Sequence, residues 1–368
     1  MPFSARIEPI FAYFFNIMSR NPSEKRLFDE IFQFLHYHPK SSRSEIEAGF
    51  SSPPSPATLK RYLTDAIKNE LIFSVGSGRA VKYSLTPKAQ LLRTIEINNY
   101  FKKEIDERLI QSTYNFELIH GLLAKTELFT SEEQEKLSRL HTAFSENISK
   151  LSPNSRTKEM ERLGIDLSWK SSQIEGNTYT LLETERLLKE NEEAQGRTKE
   201  EAQMLLNHKE ALKFLVENED YLENLSVGRI EDVHSLLIKN LNVQRNLRTA
   251  RVGITGTNYR PLDNEFQIRE ALNDACNLIN AKQNVFEKAL LAILLISYIQ
   301  PFSDGNKRTA RIVCNALLLA NRHCPLSFRT VDSLGYKEAL LIFYEQNNLS
   351  AFKKIFIEQV EFAVKTYF

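Results

Sequence analysis

A chain of 368 residues with 42% apolar and 26% charged content has room for two or three domains and the composition of an ordinary globular protein. A net charge of +1 gives no argument for a nucleic-acid or membrane partner of the chain as a whole. The three cysteines, Cys276, Cys314 and Cys324, sit among apolar helical residues without zinc-site spacing, which argues against a disulfide framework and for a reducing, cytoplasmic compartment.

Along the chain, the apolar stretch Pro9–Met18 is too short to span a bilayer and lacks a basic cluster before it and a cleavage site after it, so it reads as a packed helix. Residues 24–36 place Leu27, Ile31, Phe32 and Leu35 on one helical face. A short helix follows, capped by Ser42 or Ser44. Ser55 and Pro56 then open a third helix with Leu59, Tyr62, Leu63 and Ile67 as its expected buried face. "LIFSVGSGRAVKYSL" alternates about a Gly-Ser-Gly turn and reads as a β-hairpin. Three helices and a hairpin resemble a winged helix-turn-helix domain over roughly residues 22–90. Residues 1–100 carry 13 basic and 9 acidic side chains, so the local balance is positive. In the winged-helix reading Lys60, Arg61 and Lys68 on the third helix and Arg79 at the wing, with Lys82 nearby, would meet double-stranded DNA. The alternatives are a solvated face and a protein-docking module.

From Ile95 to Lys150 the pattern predicts connecting helices, and residues 198–222 and 286–299 predict two more. The second of these is apolar nearly all round and belongs in a helical core. "ARVGITGTNYRPLD" is a second hairpin candidate. The expected division is 1–94, a connecting segment 95–150, and a larger unit 151–368 with its core at about 226–322, in a mainly α fold.

The stretch "QPFSDGNKRTAR", Gln300–Arg311, carries the chemistry. A loop feeds a helix whose first N–H groups and dipole favour an anion. Gly305 permits the backbone to converge on phosphate oxygens, Asp304 is a hard oxygen ligand suited to Mg²⁺, and Arg308 and Arg311 lie three apart on one helix side. An Asp-Gly turn capping a basic surface helix would not need the whole spacing.

Pro301, Phe302, Asp304, Gly305, Asn306, Lys307, Arg308 and Arg311 match in place the signature of the Fic family, His-Pro-Phe-x-Asp-Gly-Asn-(Gly/Lys)-Arg-x-x-Arg, which the chain resembles. The resemblance implies a helical Fic fold with a β-hairpin flap and transfer of AMP from ATP to a hydroxyl of a target protein. It assigns Mg²⁺ to Asp304, an anion nest to Gly305, Asn306 and Lys307, with the Asn306 side chain on a phosphate, and the β- and γ-phosphates to Arg308 and Arg311. It makes Gly253, Ile254, Thr255 and Gly256 part of the flap, and sets Tyr336 near the nucleotide. "SSQIEGN" resembles the family's inhibitory motif, which implies that Ser171, Glu175 and Gly176 form a brake in which Glu175 pairs with Arg311.

Two residues depart from the pattern. Gln300 stands where the family has the His that accepts the hydroxyl proton, and an amide does not titrate near neutrality. Lys307 replaces the more frequent Gly, and some family toxins with Asn-Lys-Arg transfer phosphate instead. His234 and His323 are the nearest other histidines. Three readings follow: an adenylyltransferase braked by Glu175 and weakened by Gln300, a catalytically silent ATP-binding regulator acting through DNA, and removal of AMP from a modified protein. Family members often dimerise, and no membrane partner is expected.

Overall fold

The computed structural model describes residues 22–368, with side chains from Leu27 onward; the apolar stretch Pro9–Met18 lies outside the described residues. The chain divides into two compact units, one holding the residues up to Arg93 with His120–Thr130, the other Thr94–Ile119 with Ser131–Phe368.

The first unit contains α1 (Pro22–Tyr37), α2 (Arg43–Ala48), α3 (Pro56–Lys68), strands β1 (Ile72–Val75) and β2 (Lys82–Leu85), and α4 (Pro87–Leu92). Ser42 caps α2 in a reciprocal capping box with Glu45, and Ser55 caps α3 just ahead of Pro56. The strands pair antiparallel with Ile72 opposite Leu85 and Val75 opposite Lys82. Gly76 turns the chain at φ 95°, where an added Cβ would meet the Ala80 carbonyl at 2.6 Å. Phe28, Ile31, Phe32 and Leu35 pack with Leu59, Tyr62, Leu63, Ala66 and Ile72 into one core. Ile67, expected inside, is 38% exposed, because the seven-residue step from Leu59 falls on Ala66 and that small side chain takes the inward place.

The second unit is helical: α5 (Ile97–Tyr100), α6 (Ser131–Lys150), α7 (Pro153–Ile174), α8 (Leu181–Glu190), α9 (Lys199–Glu217), α10 (Val227–Leu237), α11 (Glu265–Ala281), α12 (Val285–Ile299), α13 (Asn306–Ala320), α14 (Ser333–Gln346) and α15 (Ser350–Tyr367). Helix α12 is its centre. All but two of its residues are buried, and it packs on α11, α13 and α14. The expected continuous helices from Ile95 are absent between Tyr100 and Ser131 apart from short 3₁₀ and π turns. Residues 104–115 instead cross the second unit through hydrogen bonds of their own, such as Gln111 N–H to the Glu345 carbonyl at 2.8 Å and Asn115 N–H to the Tyr298 hydroxyl at 2.9 Å.

The second expected hairpin does not form either. Among the described residues the β1–β2 pair is the single sheet, and residues 250–263 contain no strand. Their nearest approach to pairing is an isolated parallel bridge between Arg260 and Thr113, with Arg260 N–H donating to the Ser112 carbonyl at 2.9 Å. The stretch is held by side-chain hydrogen bonds, not by a partner strand: Arg108 donates to the Gly256 carbonyl at 2.7 Å, and the Asn258 side-chain amide donates to the Asp106 carboxylate at 2.8 Å. Gly253, Ile254, Thr255 and Gly256 therefore lie in irregular chain that turns at Gly256, φ 90°. No helix among the described residues is long and apolar enough to cross a membrane.

Candidate nucleotide site

Helix α12 ends at Gln300, which adopts the left-handed conformation at φ 51° and ψ 59° and donates its N–H to the Ile296 carbonyl at 3.1 Å. The chain reverses through Pro301–Asp304 and re-enters helix at α13, whose N-cap Gly305 is also left-handed at φ 81°. Asn306 ties this loop. Its side chain accepts from Phe302 N–H at 2.8 Å and donates to the Phe302 carbonyl at 2.8 Å and to Gln300 Oε1 at 3.1 Å. The expectation that this side chain faces a phosphate is corrected here: with all three contacts inside the loop and 5% exposure, it shapes the nest from behind.

Phe302 is fully buried and stacks on His234 from α10, the ring centres 3.6 Å apart. His234 turns one ring nitrogen to the Asp304 carbonyl at 3.0 Å and the other to the Arg245 carbonyl at 3.2 Å. Burial lowers its pKa, and the two carbonyl contacts pull the other way. Both nitrogens face main chain, so His234 supports the loop and is no substitute base. His323 stacks on His141, ring centres 3.9 Å apart, and is not among the contacts of the loop.

The Asp304 side chain remains 67% exposed, one oxygen accepting from Arg308 Nη2 at 3.2 Å. Arg308 is 2% exposed and also donates to the Leu237 carbonyl at 3.4 Å. Beside it, His208 is fully buried without a protein partner for either ring nitrogen. Burial, with the charges of Arg308 and Arg311, pushes its pKa well down. Asp304 offers a solvent-facing carboxylate oxygen, which suits a cation held jointly with phosphates and water. Among the described residues no cluster of three or more His, Cys, Asp or Glu side chains forms a self-contained metal site.

Arg311 is completely buried. Its Nε donates to the Ser171 hydroxyl at 2.8 Å, and its Nη2 donates to the Ser171 carbonyl at 2.9 Å and to Glu175 Oε1 at 2.8 Å. Ser171 and Glu175 reach it because α7 stops there. Gly176, at φ 101°, donates to the Gln173 carbonyl and Asn177 donates to the Ser172 carbonyl, the pair of bonds that defines a Schellman stop. A glycine is needed at that position, and Glu175 is thereby left at the helix end. A carboxylate there opposes the helix dipole. Two cations compensate it, because Lys307 Nζ binds the second Glu175 oxygen at 3.1 Å. Burial alone would raise the Glu175 carboxyl; the charges and hydrogen bonds of Arg311 and Lys307 outweigh it and hold the pKa at about 2. Tyr336 from α14 is buried with its ring 5.4 Å from the Arg311 guanidinium carbon.

The structure thus brings together Gln300, Asp304–Arg308, Arg311, Ser171 and Glu175. The Lys307 side chain clasps Glu175, while its backbone stands in the first turn of α13. Sequence reasoning missed Arg248, 1% exposed, which binds the Gln300 carbonyl at 2.6 Å; "RNLRTAR" carries three arginines within a short run, and nothing in spacing separates this one from a surface residue. In the first unit, Lys60, Arg61 and Lys68 are exposed on α3, and Arg79 is exposed in the turn between β1 and β2. Lys82 pairs with Glu45 at 2.8 Å.

A buried Arg beside a glycine-capped helix start is thus joined to a glutamate from the end of a second helix. Residues 224–318 match the Fic/DOC family, so the loop and α13 lie in a Fic/DOC family domain. The chain is similar to "Protein adenylyltransferase Fic" of Nematostella vectensis, 29% identical over 179 residues, covering 46% of this chain and 41% of that protein. It is similar also to "Protein adenylyltransferase fic-1" of Caenorhabditis elegans, 24% identical over 160 residues, 42% of this chain and 31% of that protein. The matched region spans less than half the length of these relatives. Among solved structures, Fic-1 (residues 134–508) from C. elegans superposes with a TM-score of 0.57 at 21% identity, covering 64% of this chain and 72% of that one. A Fic family protein from Desulfovibrio desulfuricans G20 gives 0.54 at 18% identity, covering 64% and 74%. These two likenesses establish the fold.

Proposed function

We propose that this chain is a Fic-type protein adenylyltransferase held off by Glu175 and slowed by Gln300. The observation that carries the reading is the clasp of Glu175 on Arg311 at 2.8 Å, which occupies the guanidinium that a γ-phosphate would otherwise engage. ATP would lie against the N-terminus of α13, with the Gly305–Lys307 backbone and Arg308 at the phosphates. Mg²⁺ would be held by Asp304 and would screen the phosphate charge. The hydroxyl oxygen of a target side chain then bonds to the α-phosphorus, the bond to the β-phosphate oxygen breaks, and pyrophosphate leaves. In the family the proton goes to a His; in this chain it would pass to water or to an oxygen of the departing pyrophosphate. Here Gln300 donates Nε2 to the Ser297 carbonyl at 2.6 Å and accepts from Asn306 at Oε1, so its amide is held in place and takes no proton. The 250–262 stretch beside a cleft of about 360 Å³ lined by Tyr114, Phe116, Arg251 and Arg260 is where a target segment would lie. The name shared by the animal relatives supports AMP as the group moved.

A second reading draws on the locked Gln300 and the exposed basic side chains of α3: a catalytically silent ATP-binding protein whose first unit is a winged helix bound to DNA. Incubation with labelled ATP and Mg²⁺ separates them. Label on the unaltered chain or after Glu175→Gly supports the transferase, and label only after Gln300→His supports the silent form. No label in any variant, the double included, sinks the transferase reading. Duplex binding that weakens steeply with salt supports the DNA role, and none at low salt removes it.

A further inference from the structure

Arg248 is a guanidinium with 1% exposure and, among the described residues, no carboxylate at ion-pair distance. Every group it binds is a main-chain carbonyl. Nε donates to Gln300 at 2.6 Å, Nη1 to Ala250 at 2.9 Å, and Nη2 to Leu262 and, at 3.5 Å, to Ile299. Its own N–H donates to the Pro301 carbonyl at 3.0 Å. These acceptors fall in two groups. Ala250 and Leu262 are the two feet of the 250–262 stretch. Ile299 and Gln300 are the last carbonyls of α12, the negative end of its dipole, which with the more distant Asp263 charge explains how a buried cation is tolerated without a carboxylate at ion-pair distance. The planar fork offers five donors in fixed directions, a geometry that no other side chain supplies.

The stretch it holds has no strand pairing of its own, so its shape depends on such side-chain contacts. The residue it holds, Gln300, is a non-glycine in the left-handed region, a conformation that persists only when its surroundings enforce it. We propose that Arg248 is a positioning residue that locks the feet of the 250–262 stretch to position 300, so that the target segment and the nucleotide loop share one rigid frame. The catalytic consequence rests on the transferase reading; the clamp itself does not.

The test is amide hydrogen exchange across the full chain. Arg248→Met removes the donors but keeps an apolar stem of similar length. Exchange at 250–262 and at 299–303 is expected to rise by about tenfold or more, the effect of losing one charge-assisted hydrogen bond, with α6, α9 and α15 unchanged. Arg248→Lys keeps a cation at the end of α12 and is expected to fall between the parent and Arg248→Met. Unchanged exchange at 250–262 in Arg248→Met, or a lysine variant as fast as the methionine one, overturns the clamp. If Arg248→Met does not fold, Arg248→Lys decides alone: a rise confined to 250–262 and 299–303 supports the clamp, while a rise throughout the unit or none overturns it. In the Gln300→His, Glu175→Gly background, Arg248→Met is expected to cut self-labelling from labelled ATP by about tenfold with MgATP binding kept within about twofold. Parallel loss of both marks a merely structural role and overturns the positioning claim. If that background fails to label at all, the transferase reading falls, and exchange still decides the clamp.

Discussion

Two of the three buried arginines at this site, Arg311 and Arg248, differ in the kind of partner that holds them. Arg311 is held by a carboxylate, a hydroxyl and one carbonyl, all from the end of α7. Arg248 is held by carbonyls alone, from α12 and from both feet of 250–262. An anion that is a side chain can be exchanged for another anion, such as a phosphate. Carbonyls of the main chain cannot be exchanged without unfolding the segment that bears them. The first arrangement suits a switch and the second a framework. The difference teaches where a ligand can act: at Arg311, by competing with Glu175.

The strongest way to sharpen this contrast is to restore a titrating base beside an unclasped Arg311. Gln300→His with Glu175→Gly is expected to raise AMP transfer over Glu175→Gly alone by about 10²–10⁴-fold, the usual worth of general-base assistance. Incorporation of label from ATP measures it. An equal rate in the two variants would show that position 300 does not accept the proton.

The next effect has two opposite signs in one variant. Glu175→Gly leaves the Arg311 charge buried with Ser171 and the Tyr336 ring beside it and no carboxylate. Breaking one side of a buried ion pair costs about 3–5 kcal/mol. The residual contacts to Ser171 place the expected loss at the low end, read by urea unfolding. MgATP should bind this variant more tightly than the parent, and should recover more of its stability than it adds to the parent. Lower stability with unchanged ATP affinity would make Glu175 a structural cap and remove its role as a brake.

How much of this was legible beforehand follows from range. The loop from Gln300 to Arg311 could be read because its chemistry is contiguous: glycine, carboxylate and arginines sit within one turn and one helix start. Glu175 could be matched to Arg311 only through the resemblance, because a contact 136 residues apart leaves no periodic trace. The hairpin expected at 250–263 failed because its glycines and alternating residues are equally compatible with a loop held by Arg108 and Arg248, and a buried arginine bound to carbonyls looks like a surface arginine in sequence. The helices expected after Ile95 form at α5 and α6 but not between Tyr100 and Ser131, for a related reason: residues 104–115 meet their partners in α12, α14 and the 250–260 loop. Tertiary hydrogen bonds override a weak local preference there.

A smaller effect probes the second cation on Glu175. Lys307→Met removes the 3.1 Å contact but leaves Arg311 in place. Lys307 is partly exposed, so solvent already screens it, and the loss of stability is expected to be about 1 kcal/mol or less. ATP affinity should shift by less than in Glu175→Gly. A larger stability loss than in Glu175→Gly would place the main restraint at Lys307 and reverse the order argued from burial.

The smallest effect is expected from pH, and its sign follows from Glu175. Its folded pKa is held at about 2, below the ordinary 4.5. A depressed carboxyl contributes stability that is fully present above the unfolded value and lost as pH falls through the folded one. The difference in unfolding free energy between the parent and Glu175→Gln should therefore be flat from about pH 5 to 8, the range above the unfolded value, and shrink only below about pH 4.5. Urea unfolding of both proteins across that range measures it. A difference that titrates between about pH 6 and 8 would place the event on another group. A flat profile leaves the clasp closed at every neutral pH, so that opening it falls to a competitor for Arg311, and a triphosphate has the charge and reach to be one.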